Sequence, residues 1–93
     1  MTSASPTITE KPKAKVNNDR PYNVILWNDD VNTIQHVVNV LMQVIGHSLT
    51  KATSLAMEVH TQGKSIVKTT HLEYAETYRD ALEANGLTAT IEQ

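Results

Sequence analysis

A chain of 93 residues falls short of the roughly 100 to 200 residues typical of one domain, so at most one small domain with an appendage is expected. Its 40% apolar and 19% charged residues mark a globular composition, but Phe is absent and Tyr22, Trp27, Tyr74 and Tyr78 are the whole aromatic set, so the core must be aliphatic. A formal charge of -2 supplies no global attraction to nucleic acid or to an acidic membrane, and the lack of cysteine removes disulfides, thiolate zinc sites and cysteine nucleophiles.

The charge is unevenly spread. Residues 1–20 carry four basic and two acidic side chains, whereas residues 21–93 carry four and eight. Only five of the first twenty residues are apolar, too few to offset the cost of ordering them, so a flexible, disordered N-terminal extension over residues 1–20 is expected ahead of a domain over residues 21–93. Nothing in the first sixteen residues resembles a signal-peptide core, and no stretch approaches the roughly 18 to 20 apolar residues of a membrane span. A small chain without disulfides suits a reducing compartment, and the cytoplasm is the expected location.

From Pro21 the punctuation is regular. Tyr22-Asn23-Val24-Ile25-Leu26-Trp27 is rich in β-formers and too short for a helix, which predicts a strand. Asn28-Asp29-Asp30-Val31-Asn32 breaks it with turn- and cap-forming side chains. Thr33 can cap a helix whose apolar residues Ile34, Val37, Val38, Leu41, Val44 and Ile45 recur at intervals of three and four until Gly46. A second helix opens at Ser48 or Thr50, buries Leu49, Ala52, Leu55, Ala56 and Val59, and stops at Gly63, with His60 in its last turn. Residues 64–69 read as a short strand, and Thr70-His71-Leu72-Glu73 has the spacing of a capping box. The third helix continues through Ala75, Tyr78 or Arg79, and Leu82 to Asn85-Gly86, and residues 87–92 alternate as a half-buried strand. The order β-α-α-β-α-β predicts a two-layer α+β domain, a three-stranded antiparallel sheet packed on three helices with its other face solvated.

Few patterns here carry chemistry. There is no glycine-rich phosphate loop, no nucleophile elbow and no Ser-His-Asp set, and His36, His47, His60 and His71 have no metal-ligand spacing. The acceptors Asn28, Asp29 and Asp30, leaving a strand just before a helix, admit two readings: turn and cap residues, or a cation site in which Asp29 and Asp30 join His60 for metal-assisted hydrolysis. His60 alone also reads as a favourable partner for the helix dipole.

Taken together, Val24 to Asp30, the stretch from Val37 to Leu41, Lys51-Ala52-Thr53, Val59-His60-Thr61-Gln62-Gly63-Lys64 and the segment around Glu73, Ala75, Glu76 and Thr77 resemble the ClpS family, adaptors of the Clp protease that recognise N-terminal degradation signals. The resemblance runs from Tyr22 to Ile91. It implies a non-enzymatic, monomeric adaptor without a cofactor or a metal, whose partners are N-degron substrates and the N-terminal domain of the unfoldase ClpA or ClpC. It implies that Asn28, Asp29, Asp30 and His60 surround the substrate's free α-amino group, whose three donors and positive charge call for such acceptors. It further implies a pocket for a large hydrophobic first residue (Leu, Phe, Tyr or Trp) lined by Ile34, Val37, Leu41, Leu55, Ala56, Val59 and Leu87. Ile34 and Ala56 stand where familiar members often carry Met, Asn32 where Thr is common, and Tyr78 where a basic residue is familiar. Glu73, Glu76 and Thr77 match the unfoldase-docking surface. The alternative reading is a helix-mediated interaction module of the same topology, like the C-terminal domain of the ribosomal stalk protein, without a terminus pocket.

Overall fold

The computed structural model describes Ile8, Glu10 and residues 20–93; the rest of the expected N-terminal extension lies outside the described residues. Strand β1 (Tyr22–Trp27) is followed by helix α1 (Ile34–Val40), a π-helical turn (Leu41–Ile45), α2 (Leu49–Gln62), β2 (Lys64–Thr70), α3 (Leu72–Ala84) and β3 (Thr88–Glu92). The expected order is therefore present, and β1 lies at the centre of an antiparallel sheet ordered β2-β1-β3. Tyr22 pairs with Thr70 at one end of the sheet, while Trp27 pairs with Lys64 and Thr88 at the other.

The alternation of β1 sends Val24 and Leu26 into the core, at 0% and 1% exposure, where they meet Val38, Leu41, Val44, Ala52, Leu55, Val59, Val67, Ala75, Leu82 and Ala89. Full burial of each Leu or Val in this set contributes about 1.5 to 3 kcal/mol, so an aliphatic core suffices without Phe. A bulge in β2 leaves Val67 without a partner opposite β1, as Val24 faces Lys68 and Ile25 faces Ile66. Such an insertion turns two consecutive side chains toward one face. Val67 thereby enters the core while Lys68 lies over the ring of Tyr78, 5.6 Å from its centroid.

Two predicted details differ. The single helix expected from Thr33 to Gly46 is divided: Thr33 caps α1 by accepting from the His36 N–H, but the last turn widens to a π turn that ends with the Gly46 N–H on the Leu41 carbonyl. The wider turn allows Val40, Leu41, Val44 and Ile45 all to be buried, a set too broad for one regular helical stripe. The capping box at Thr70 does not form either. Thr70 is the last residue of β2, its hydroxyl donates to Glu10, and His71 takes the cap position without a side-chain bond.

The other helix ends follow their sequence signals. The Ser48 hydroxyl accepts from the Lys51 N–H, and Gly63 closes α2 in the left-handed region at φ 92°. At the end of α3 the Leu87 N–H donates to Leu82 and the Gly86 N–H to Glu83, with Gly86 at φ 86°. This is a Schellman motif, and its accompanying apolar contact sets Leu87, 5% exposed, beneath the loop that follows β1. Among the described residues no helix is long and apolar enough to cross a membrane.

Candidate functional site

The end of β1 and the end of α2 are fastened together, because the Asn28 N–H donates to the Gly63 carbonyl at 2.9 Å. That bond brings the Asn28-Asp29-Asp30 loop beside the last turn of α2, which carries His60. Between them opens a cavity of about 340 Å³ lined by Asn28, Asp29, Asp30, Asn32, Thr33, Ile34, Val37, Ala56, Val59 and His60. Ile34 and Val37 come from α1 and Ala56 and Val59 from α2, so the walls are apolar and the acceptors lie along one rim.

Asp29 differs from its neighbours. Its Oδ1 accepts from the backbone N–H groups of Val31 and Asn32 at 2.9 and 2.8 Å, and its Oδ2 accepts from Asn32 Nδ2 at 2.8 Å. These bonds, the Asn32 N–H foremost, hold the carboxyl below its ordinary value against a smaller opposing effect of burial. Asp29 is thus the residue that shapes the loop, and each oxygen has already taken at least one donor. Asn28, Asp30 and His60, by contrast, make no side-chain hydrogen bond among the described residues and are exposed, which leaves their acceptors available.

Asn32 extends the connection: the same Nδ2 donates to the Gly86 carbonyl at 2.8 Å. His36 Nε2 lies 2.9 Å from the Asn85 carbonyl. The two contacts staple the start of α1 to the turn between α3 and β3, segments more than fifty residues apart in the chain or nearly so. Under this staple lies a recess of about 10 Å³ lined by Leu26, Trp27, Asn28, Asp29, Asn32, Val37, Val59 and Leu87, space for about one water molecule.

The structure gathers Asn28, Asp29, Asp30, His60, Ile34, Val37, Ala56 and Val59 around one cavity and puts Leu87 in the adjoining recess. Leu41 and Leu55, also expected as pocket lining, line neither space; at 0% and 6% exposure they are core. Their helical spacing puts them on the inward stripe, a turn away from the opening. The sequence reading missed Thr33 as a lining residue, since its cap role accounted for it completely. Glu73, Glu76 and Thr77 are exposed together on α3, opposite the buried Ala75, Tyr78 and Leu82. No group of three His, Asp or Glu side chains among the described residues is placed to hold a metal ion.

Residues 17–90 match the family model of the ATP-dependent Clp protease adaptor protein ClpS. The chain belongs to the ClpS family. ClpS adapter proteins from Rhodococcus jostii and Synechococcus elongatus are 36% and 45% identical to it, over 96% and 76% of this chain and 83% and 76% of theirs. Among solved structures, Agrobacterium tumefaciens ClpS2 bound to L-phenylalaninamide superposes with a TM-score of 0.74 at 28% identity, covering 78% of this chain and 95% of that one. The ClpS assignment makes the chain an adaptor of the Clp protease rather than an enzyme, and the α+β fold expected from the sequence is the ClpS fold.

Proposed function

We propose that this ClpS protein binds the free N-terminal residue of N-degron substrates, with Leu, Phe, Tyr or Trp in first position, and delivers them in the cytoplasm to a Clp unfoldase, ClpA or ClpC. The observation that carries the reading is the combination of acceptors on Asn28, Asp30 and His60, without side-chain partners among the described residues, with an apolar cavity immediately below them. A peptide's α-ammonium, charged below its pKa of roughly 8, offers three donors that need acceptors of this kind. The C-terminal end of α2 adds its partial negative charge at the same place. Asp29, bound to its own loop, contributes charge and holds Asn28 and Asp30 in position. The first side chain would enter between Ile34 and Val37 on one wall and Ala56 and Val59 on the other. The relative solved with L-phenylalaninamide, a molecule with a free α-amino group and an aromatic side chain, supports this orientation.

Delivery would use the exposed face of α3, with Glu73, Glu76 and Thr77 meeting the N-terminal domain of the unfoldase while the adaptor remains monomeric. The face is rigidly presented, since the opposite side of the helix is core. The deciding experiment is fluorescence anisotropy with labelled peptides that differ only in the first residue or its acetylation. Peptides beginning with Leu or Phe bind, and their N-acetylated copies, which lack the charge and two donors, do not. His60→Ala and Asn28→Ala each weaken binding by about 1 to 3 kcal/mol while leaving the fold intact. Equal binding of free and acetylated peptides sinks the proposal.

A further inference from the structure

At the end of the sheet remote from the cavity, two residues of the N-terminal segment are seated on the domain. The length of β1 separates the two places by about 17 Å. The Ile8 N–H donates to the Val44 carbonyl at 3.1 Å, one of the carbonyls that a helix end leaves without an internal partner. The Ile8 side chain packs against the core. Two positions on, both oxygens of Glu10 are held: Oε1 accepts from Thr70 Oγ1 at 2.6 Å, and Oε2 accepts from the Tyr78 hydroxyl at 3.0 Å and lies 3.7 Å from Lys68 Nζ. The Tyr78 hydroxyl is also 3.4 Å from the Ile8 carbonyl.

The receiving groups form a built site rather than a chance surface. Tyr78 and Thr70 are 1% and 7% exposed, and among the described residues neither hydroxyl has a partner other than Ile8 and Glu10. With Ile8 and Glu10 in place both hydroxyls are buried, where a missing acceptor would be costly, and the Glu10 carboxylate supplies one to each. Lys68, aimed at the same point by the β2 bulge and stacked on the Tyr78 ring, selects an anionic one.

We propose that this notch, formed by the Val44 carbonyl, Lys68, Thr70 and Tyr78, is a second peptide-binding site, selective for an apolar residue followed two positions later by a carboxylate, and that its resident ligands are the chain's own Ile8 and Glu10. Burial, reinforced by the hydrogen bond and charge of Glu10 and more weakly by Tyr74, pushes the Tyr78 hydroxyl up to about 12, as expected when a carboxylate is fixed against it. Seven residues precede the anchored segment and nine separate it from Arg20. A partner pulling on the first residues must therefore empty the notch before tension reaches the domain. The anchor is independent of whether the cavity reads substrate termini.

The test uses the full chain and its Glu10→Ala variant, in which the change lies outside the packed domain. In the wild type the Ile8 amide is protected from hydrogen exchange. In Glu10→Ala its exchange accelerates about tenfold, the factor that a single charge-assisted hydrogen bond supports, and Tyr78 titrates closer to the ordinary value near 10. With Glu10 intact, Thr70→Val raises the rate at which a glutamyl endopeptidase cleaves after Glu10 by a similar factor, because cleavage follows the population of the open arm. Equal exchange at Ile8 in wild type and Glu10→Ala, or an unchanged Tyr78 titration, overturns the proposal. Protection that rises with protein concentration overturns it too, by assigning the notch to the arm of a second copy.

Discussion

Asn32→Ala tests whether the loop geometry depends on one amide group. The substitution removes the Nδ2 bonds to Asp29 Oδ2 and to the Gly86 carbonyl but keeps the Asn32 N–H on Asp29 Oδ1. A bond to a charged acceptor contributes about 1.5 to 3 kcal/mol when fully buried and a neutral one about 0.5 to 1.5. Asn32 is half-buried and Gly86 exposed, so the lower end of each range applies, and roughly 1.5 to 2 kcal/mol of stability should be lost. For a domain of this size that corresponds to a fall in Tm of about 6 to 16 °C. Urea unfolding followed by Trp27 fluorescence reads the change as a lower midpoint with an unaltered slope. Because the loop would no longer be tied to the α3–β3 turn, affinity for a Leu-initiated peptide should fall in the same variant. A loss below about 0.5 kcal/mol, within the range of an ordinary surface substitution, refutes the argument that Asn32 fastens the site.

Asp29 predicts a pH dependence. Its folded pKa is lowered, so its stabilisation is fully present above the unfolded value near 3.9 and is lost as pH falls through the lower folded value. Wild type should therefore exceed Asp29→Asn in urea midpoint at pH 6, and the difference should shrink only under acid conditions; a constant difference down to pH 2 would contradict the assignment. Gly86→Ala forces a side chain into the left-handed region and should cost about 1 to 2 kcal/mol by chemical denaturation, with no effect if the Schellman turn is not formed. Ala56→Leu fills the cavity from the α2 wall. It should lower peptide affinity at least about tenfold, with a stability cost of about 1 to 3 kcal/mol for added bulk at a buried position, and unchanged affinity in the folded variant would show that the first side chain binds elsewhere.

The elements were legible because their signals are local. Ser48, Gly63 and Gly86 act within a few residues, as caps and left-handed stops, and the short run of β-formers from Tyr22 to Trp27 marks a strand without reference to partners. The π turn at Leu41–Ile45 was not legible, since it arises from packing Val40 alongside the regular stripe. Thr70 differs for a related reason: its spacing to Glu73 suits a capping box, but pairing with Tyr22, nearly fifty positions away, keeps it in β2 and moves the cap position to His71.

The candidate site divides in the same manner. The residue types on the rim, Asn28, Asp29, Asp30 and His60, together with their family spacing, were determined by the sequence alone. Their unequal roles were not. Asp29 is committed to Asn32 and Val31 while Asn28 and Asp30 keep their acceptors, and Leu41 and Leu55 withdraw into the core while Thr33 joins the lining. Sequence spacing specifies which face of an element a side chain occupies; which donor reaches it first, and whether that face meets a cavity or a neighbouring helix, depends on contacts between segments that only the folded chain brings together.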